Sequence, residues 1–125
     1  MGQSKPFRAT ALVVEDDLMQ RQMISLLLEE SGYRVIECDR AEDAQQVLDN
    51  DAAAFCLMMT DVQLAGAMDG VELARIAKER NPHLDVVVTS GQPLPRPLPL
   101  GTKFWAKPWA PLDVLREAEI AQLAS

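Results

Sequence analysis

The sequence contains few of the residues that most often carry enzyme or metal chemistry. It has one histidine, two cysteines and one tyrosine among 125 residues. The histidine, His83, follows Pro82 in a predicted loop without a partner motif, and we assign it no role. Cys38 and Cys56 do not form a CxxC motif, so we expect two buried thiols in strands. Such thiols are consistent with a reducing, cytoplasmic location.

Long apolar runs and basic blocks are also missing. No apolar stretch approaches the roughly 20 residues of a membrane-spanning helix. The first ten residues lack the apolar segment of a signal peptide. Twelve basic residues against nineteen acidic ones give a net charge of −7, which disfavours binding to nucleic acid and to anionic membranes.

The length and the composition indicate one folded domain. The hydrophobic fraction is 48% and the charged fraction is 25%, as in ordinary globular proteins. The length is close to the commonest domain size. We therefore expect a single domain over residues 1–125. It leaves no room for a separate effector, so any output would pass through protein contacts.

Short apolar runs alternate with stretches of helical spacing along the chain. This alternation predicts parallel strands with helices on both faces of one sheet. In the first helix, the apolar residues at helical spacing are Met19, Met23, Leu26 and Leu27. The predicted strands are Ala9–Glu15, Arg34–Cys38, Phe55–Thr60, Asp85–Thr89 and Thr102–Ala106. The predicted helices are Leu18–Glu30, Ala41–Asp49, Val71–Arg80 and Ala110–Leu123.

Residues 91–101, the proline segment, interrupt the alternation where a helix is expected. Alternating prolines exclude a helix, because each ring removes a hydrogen-bond donor and blocks the preceding turn. We expect an extended, polyproline-like segment with at most one short turn. It is interpreted as a stiff spacer, with a ligand for aromatic-lined grooves as the alternative. The four prolines are Pro93, Pro95, Pro97 and Pro99.

Charged and hydroxyl side chains stand where the predicted strands end. Glu15–Asp17 ends the first strand, Asp61 the third, Thr89 the fourth and Lys107 the fifth. In an open parallel sheet these ends form the ligand-binding edge. Crowded carboxylates need a cation, and oxygen ligands favour Mg²⁺. With a lysine and a hydroxyl, such a site suits a phosphoryl group, and an aspartate can be the nucleophile.

Five motifs together resemble the receiver domain of two-component response regulators. They are VVEDD at 13–17, TD at 60–61, MDG at 68–70, VVVTSG at 86–91 and FWAKPW at 104–109. The resemblance covers a core of about residues 9–123. It implies a flavodoxin-like, doubly wound, five-stranded parallel sheet of strand order 2-1-3-4-5. The fourth helix of that fold is missing or very short here.

The resemblance also implies a role for each site residue. Asp61 would be the phosphoacceptor, taking a phosphoryl group from a sensor histidine kinase or a histidine phosphotransfer protein. The Mg²⁺ ligands would be Glu15, Asp16, Asp61 and the backbone carbonyl of Gln63. Thr89 and Lys107 would contact the phosphoryl group, Pro108 would be cis-bonded, and Phe104 would be either an aromatic switch or a plain core residue.

Output would then be a protein surface that responds to phosphorylation, or transfer of the phosphoryl group as a shuttle or sink. Trp109 and the proline segment are the candidate contacts for an unknown downstream protein. A phosphorylation-independent binding module is the first alternative. A Mg²⁺-dependent phosphatase is disfavoured, because Gln63 cannot serve as an acid or base. A flavin protein is excluded, because the acids after the first strand would repel its phosphate.

Overall fold

The computed structural model describes residues 9–124. Residues 1–8, which belong to the stretch without a signal-peptide pattern, and Ser125 lie outside the described residues. The described residues form one five-stranded parallel sheet of order β2-β1-β3-β4-β5. Its strands are β1 (Ala9–Val14), β2 (Tyr33–Cys38), β3 (Leu57–Asp61), β4 (Asp85–Ser90) and β5 (Thr102–Ala106). The predicted flavodoxin-like order is confirmed.

The helices cover both faces of this sheet. On one face, α2 packs beside α3 over Leu12, and on the other face α1 packs beside α4 over Val13. Because both faces are covered, β1, β3 and β4 are almost entirely buried, and the polar residues of β3 and of the end of β4 stand at their carboxyl ends. The helices are α1 (Leu18–Glu30), α2 (Ala41–Asp51, continued by a 3₁₀ turn at Ala52–Ala54), α3 (Gly70–Arg80) and α4 (Pro111–Ala124). None of the described helices is long and apolar enough to cross a membrane.

The proline segment contains no helix and lies against the core as an extended strip. Leu94 and Leu98 pack on the cluster of core residues shared with α2 and α3. Between them, the Arg96 guanidinium makes two hydrogen bonds to the carboxylate of Asp69, at 2.9 and 2.7 Å. Pro93, Pro95 and Pro97 are exposed on the other side of the strip. The predicted loss of the fourth helix is confirmed.

The buried face of α1 differs from the apolar spacing in the sequence. Met19, Met23 and Leu26 are exposed, at 80%, 44% and 58% of their surface. The buried residues of α1 are instead Ile24, Ser25 and Leu28. The reason lies at the start of the helix. Gln20 and Arg21 are tied to the carboxyl end of the sheet, and the positions one and two turns later on that face are 24, 25 and 28.

The cysteine prediction is correct for one residue only. Cys38 is buried at the end of β2. Cys56 is half-buried and precedes β3, where its thiol lies 3.7 Å from the Tyr33 hydroxyl. The chain has just left the 3₁₀ turn at this point, so Cys56 joins the sheet by its backbone without full cover of its side chain.

Candidate functional site

The site lies at the carboxyl end of the sheet, where β1, β3 and β4 end side by side. Asp61 is the last residue of β3 and pairs in register with Thr89 of β4. Glu15 follows β1, and its position is fixed from two sides. Its N–H donates to the Cys38 carbonyl at 3.0 Å, and its own carbonyl accepts from the Arg21 guanidinium at 2.8 Å. Strand order therefore brings these side chains to one place.

Three carboxylates converge there as predicted. One carboxylate oxygen from each of Glu15, Asp16 and Asp61 lies within 4.8 Å of the other two. Glu15 and Asp61 are 2% and 7% exposed, whereas Asp16 faces solvent. Burial raises the pKa of Glu15 to about 7, and the negative charge of Asp61 raises it as well. The hydrogen bond from the Asp17 N–H and the positive charge of Lys107 lower this pKa but do not outweigh burial. The cluster thus carries excess negative charge that a cation would offset.

The two carboxylate oxygens of Asp61 have different surroundings. Oδ2 accepts a hydrogen bond from Lys107 at 3.0 Å. Oδ1 is buried and has no hydrogen-bond partner. A buried charged oxygen without a partner is costly, so such atoms in folded proteins usually face a ligand or an ion. The all-oxygen donor set around Oδ1 fits Mg²⁺ or a similar hard cation.

Lys107 is the cation of the site. Its ammonium donates to Asp61 Oδ2 and to Gln20 Oε1, each at 3.0 Å, and lies 3.6 Å from Glu15 Oε1. Burial lowers the pKa of Lys107, but the hydrogen bond to Asp61 and the charge of Glu15 outweigh it, so the pKa is raised. The Lys107–Pro108 peptide bond is cis, as expected.

Gln63 and Thr89 flank Asp61. Thr89 is buried, and its carbonyl accepts a hydrogen bond from the Val62 N–H at 2.9 Å. The Gln63 side chain accepts one from the Ser90 hydroxyl at 3.2 Å, and that hydroxyl in turn accepts from the Gln92 N–H at 2.9 Å. The start of the proline segment is therefore connected to the loop that follows Asp61. The metal role of the Gln63 carbonyl stays a prediction.

Two expectations about aromatic residues change. Phe104 is 39% exposed, so the alternative of a plain core residue is wrong, and the switch role stays a prediction. Trp109 is half-buried against the core beside α1 and α4, with its ring centroid 6.4 Å from that of Trp105. Only part of the Trp109 ring is accessible to a partner.

The site also depends on three residues that were not identified as site residues from the sequence: Gly70, Gln20 and Ser90. A Cβ on Gly70 would stand 2.0 Å from the carbonyl oxygen of Asp61, so only glycine fits at this close approach. The MDG motif contains this signal, but not its steric cause. Ser90 belongs to the VVVTSG motif and Gln20 to no motif, and the contacts of both were unpredictable because they join residues distant in sequence.

The comparisons with known proteins agree with this geometry. The sequence profile of the response regulator receiver domain matches residues 11–94. The response regulator receiver protein CpdR of Brucella abortus is 31% identical over 119 residues, covering 91% of this chain and 97% of that protein. The response regulator FleR of Pseudomonas aeruginosa is 39% identical over 80 residues, but these cover only 16% of that protein. The crystal structure of the receiver domain from the hybrid histidine kinase CckA superposes with a TM-score of 0.78 at 25% identity, covering 91% of this chain and 99% of that one. The chain belongs to the family of response regulator receiver domains of two-component systems.

Proposed function

We propose that this receiver domain is a phosphoacceptor and that Asp61 is the residue phosphorylated. One carboxylate oxygen of Asp61 attacks the phosphorus of a phosphohistidine on a sensor histidine kinase or a histidine phosphotransfer protein. The P–N bond breaks as the new P–O bond forms, and the imidazole nitrogen keeps the electron pair. The observation that carries this proposal is the buried, unpartnered Oδ1 of Asp61 beside two further carboxylates.

Asp61 fits the acceptor role better than its acidic neighbours. Its second oxygen is held by Lys107, so the carboxylate has one oriented and one available oxygen. In Glu15, Oε2 already accepts from the Asp17 N–H at 3.2 Å, and Oε1 lies 3.6 Å from the Lys107 ammonium. Asp16 is exposed and lies outside the ion pairs of Lys107. A fixed carboxylate costs less reorganisation in an in-line attack.

Glu15, Asp16, Asp61 and the carbonyl of Gln63 would hold Mg²⁺. When bound, the ion offsets the charge of the carboxylates and of the phosphoryl oxygens. Lys107 supplies the second positive charge, through its hydrogen bond to Asp61 Oδ2. The hydroxyl of Thr89, which neighbours Asp61 in the sheet register, donates to a phosphoryl oxygen.

The output of this module is a change at the protein surface or passage of the phosphoryl group to another protein. The proline segment begins two residues after Thr89, and Phe104 pairs with Val88 in the register of β4 and β5. A new charge at Asp61 thus acts next to the start of the proline segment, and β5 carries Phe104 back toward the same end of the sheet. Since CpdR aligns over 97% of its length, we propose that residues 1–125 are likewise one receiver domain, acting in the cytoplasm through protein contacts.

Labelling of Asp61→Asn tests the proposal. Wild type and variant are incubated with Mg²⁺ and acetyl phosphate, or with a phosphorylated kinase, and the phosphorylated fraction is measured by intact-protein mass spectrometry. The variant should take no label, because its amide cannot form the acyl phosphate. Asp17→Asn is the matched control, because Asp17 caps α1 outside the carboxylate cluster and asparagine caps equally well. Undiminished labelling of Asp61→Asn would refute the assignment.

A further inference from the structure

We propose that Gln20 is the positioning residue for Lys107. This inference rests on the proposed phosphoacceptor function, in which the ammonium of Lys107 must reach both Asp61 and a phosphoryl oxygen. The Gln20 amide oxygen accepts a hydrogen bond from Lys107 at 3.0 Å, the same length as the bond from Lys107 to Asp61. Gln20 is thus a second anchor for the ammonium, separate from the carboxylates.

The main chain of Gln20 is fixed firmly enough to serve as an anchor. Its N–H donates to the carboxylate of Asp17, the cap of α1, at 3.1 Å. The following residue, Arg21, donates to the Glu15 carbonyl at 2.8 Å and to the Glu37 carboxylate at 3.0 Å. The first turn of α1 is therefore tied to the ends of β1 and β2. Side chains on such a support lose less precision than side chains on a free loop.

The second anchor of the Lys107 ammonium, Gln20, has to be a neutral side chain. An ammonium has three protons, and here two are taken by Asp61 and Gln20 while the third is directed at Glu15, 3.6 Å away. The pocket already holds three carboxylates. An amide oxygen orients Lys107 without adding a fourth negative charge, which would repel an incoming phosphoryl group.

The ammonium of Lys107 needs positioning because it is a compact charge at the end of a flexible four-carbon side chain. The Lys107 side chain is 24% exposed and can turn toward solvent if one anchor is lost. With Gln20 in place, it pivots between Asp61 and a phosphoryl oxygen while one hydrogen bond persists. A hydrogen bond to a charged group corresponds to about tenfold or more in equilibrium when it is buried, and solvent screening at this partly exposed site lowers the expectation to about fivefold to tenfold.

The experiment uses Gln20→Met, Gln20→Glu and the control Gln22→Met. Methionine keeps the length of the side chain and the helix propensity but removes the acceptor. Glutamate keeps an acceptor oxygen and adds charge. Gln22 is exposed on the same helix and provides the same substitution away from the site. Thermal unfolding confirms that each variant is folded before the two rates below are compared.

The first readout is the exchange rate of the Lys107 ammonium protons, measured by ¹⁵N NMR without any phosphoryl donor. We expect at least fivefold faster exchange in Gln20→Met, and wild-type rates in Gln20→Glu and Gln22→Met. The second readout is the labelling rate with acetyl phosphate and Mg²⁺, a small donor that needs no docking surface. We expect labelling about fivefold to tenfold slower in Gln20→Met, slower also in Gln20→Glu, and unchanged in Gln22→Met.

Different outcomes separate the two proposals. Wild-type exchange or wild-type labelling in Gln20→Met overturns the role of Gln20 while the phosphoacceptor function stands. No labelling of the wild-type protein by any donor overturns the phosphoacceptor function, and the positioning role in phosphotransfer with it. In that case the exchange rates still report whether Gln20 holds Lys107.

Discussion

Replacement of Gly70 by alanine sets helix propensity against steric fit. Gly70 is the first residue of α3, directly after its cap Asp69. A Cβ there would stand 2.0 Å from the Asp61 carbonyl oxygen, 2.8 Å from its carbon and 3.1 Å from the Cα of Val62. All three are backbone atoms, so none can rotate away. The substitution therefore displaces either the end of β3 or the start of α3.

Whether Gly70→Ala stabilises or destabilises the fold depends on the size of the helix-propensity gain relative to the cost of the steric overlap. Alanine gains at most about 1 kcal/mol over glycine in a helix interior, and less at the first helical position. Relief of the overlap to an ordinary contact of 3.4 Å requires a shift of more than 1 Å in the carbonyl of Asp61. Overpacking of a tight interior costs about 1–3 kcal/mol or more. We expect a net loss of about 1–2 kcal/mol. Since a 1 Å misplacement of a reacting group costs about 100-fold, labelling of Asp61 should fall by a similar factor.

Urea unfolding and labelling with acetyl phosphate measure the two effects. Gly91→Ala is the matched control, because a Cβ on Gly91 meets no atom within 4 Å. The free energy of unfolding should fall in Gly70→Ala and stay within about 0.5 kcal/mol in Gly91→Ala. If Gly70→Ala is as stable as the wild type and is labelled at the wild-type rate, then α3 does not approach the Asp61 carbonyl as closely as described.

Two further predictions concern ion pairs away from the site. Burial and the neighbouring Glu117 raise the pKa of Asp85 from 3.8 to about 7. The proton bound by Asp85 therefore stabilises the folded state fully below about pH 4, and this stabilisation is lost as the pH rises to about 7. Over that range, the free energy of unfolding of the wild type, measured with urea, should fall by at most about 4 kcal/mol relative to that of Asp85→Asn. Parallel pH profiles of the two proteins would contradict this. Arg96→Ala should lower the free energy of unfolding only slightly, and by still less at high salt, because the pair of Arg96 with Asp69 is largely exposed. A loss that salt leaves unchanged would show that Arg96 acts by packing.

The order of elements was predictable because nearly every signal in the sequence is local. Runs such as Val86–Val88 are apolar throughout, as strands covered on both faces must be, and Asp17 and Pro111 mark the starts of two helices. The orientation of α1 was not predictable from spacing alone. Its exposed Met19 and Met23 have the same helical spacing as a core stripe, and only the contacts of Gln20 and Arg21 with the sheet determine which face is buried.

The same distinction holds at the site. Glu15, Asp61 and Lys107 were predictable because each directly follows or ends a strand, and the ends of parallel strands meet. Gln20 was not, because its contact joins the first helix to a lysine 87 positions away. A glutamine in the first turn of a helix has no pattern of its own. It gains a role only when the sheet brings β1 and β5 to the same edge of the molecule.

The proline segment shows how a missing helix is replaced. Leu94 and Leu98 cover the core, while Pro93, Pro95 and Pro97 face solvent and keep the backbone extended at little entropic cost. A partner with an aromatic groove could reach only part of this segment, because Leu94 and Leu98 pack on the core and Arg96 is bonded to Asp69. This favours the spacer interpretation over the recognition motif. Asp69 also caps α3, whose first residue Gly70 lies against the Asp61 carbonyl, so the spacer is fastened to a helix that touches the main chain of the proposed phosphoacceptor.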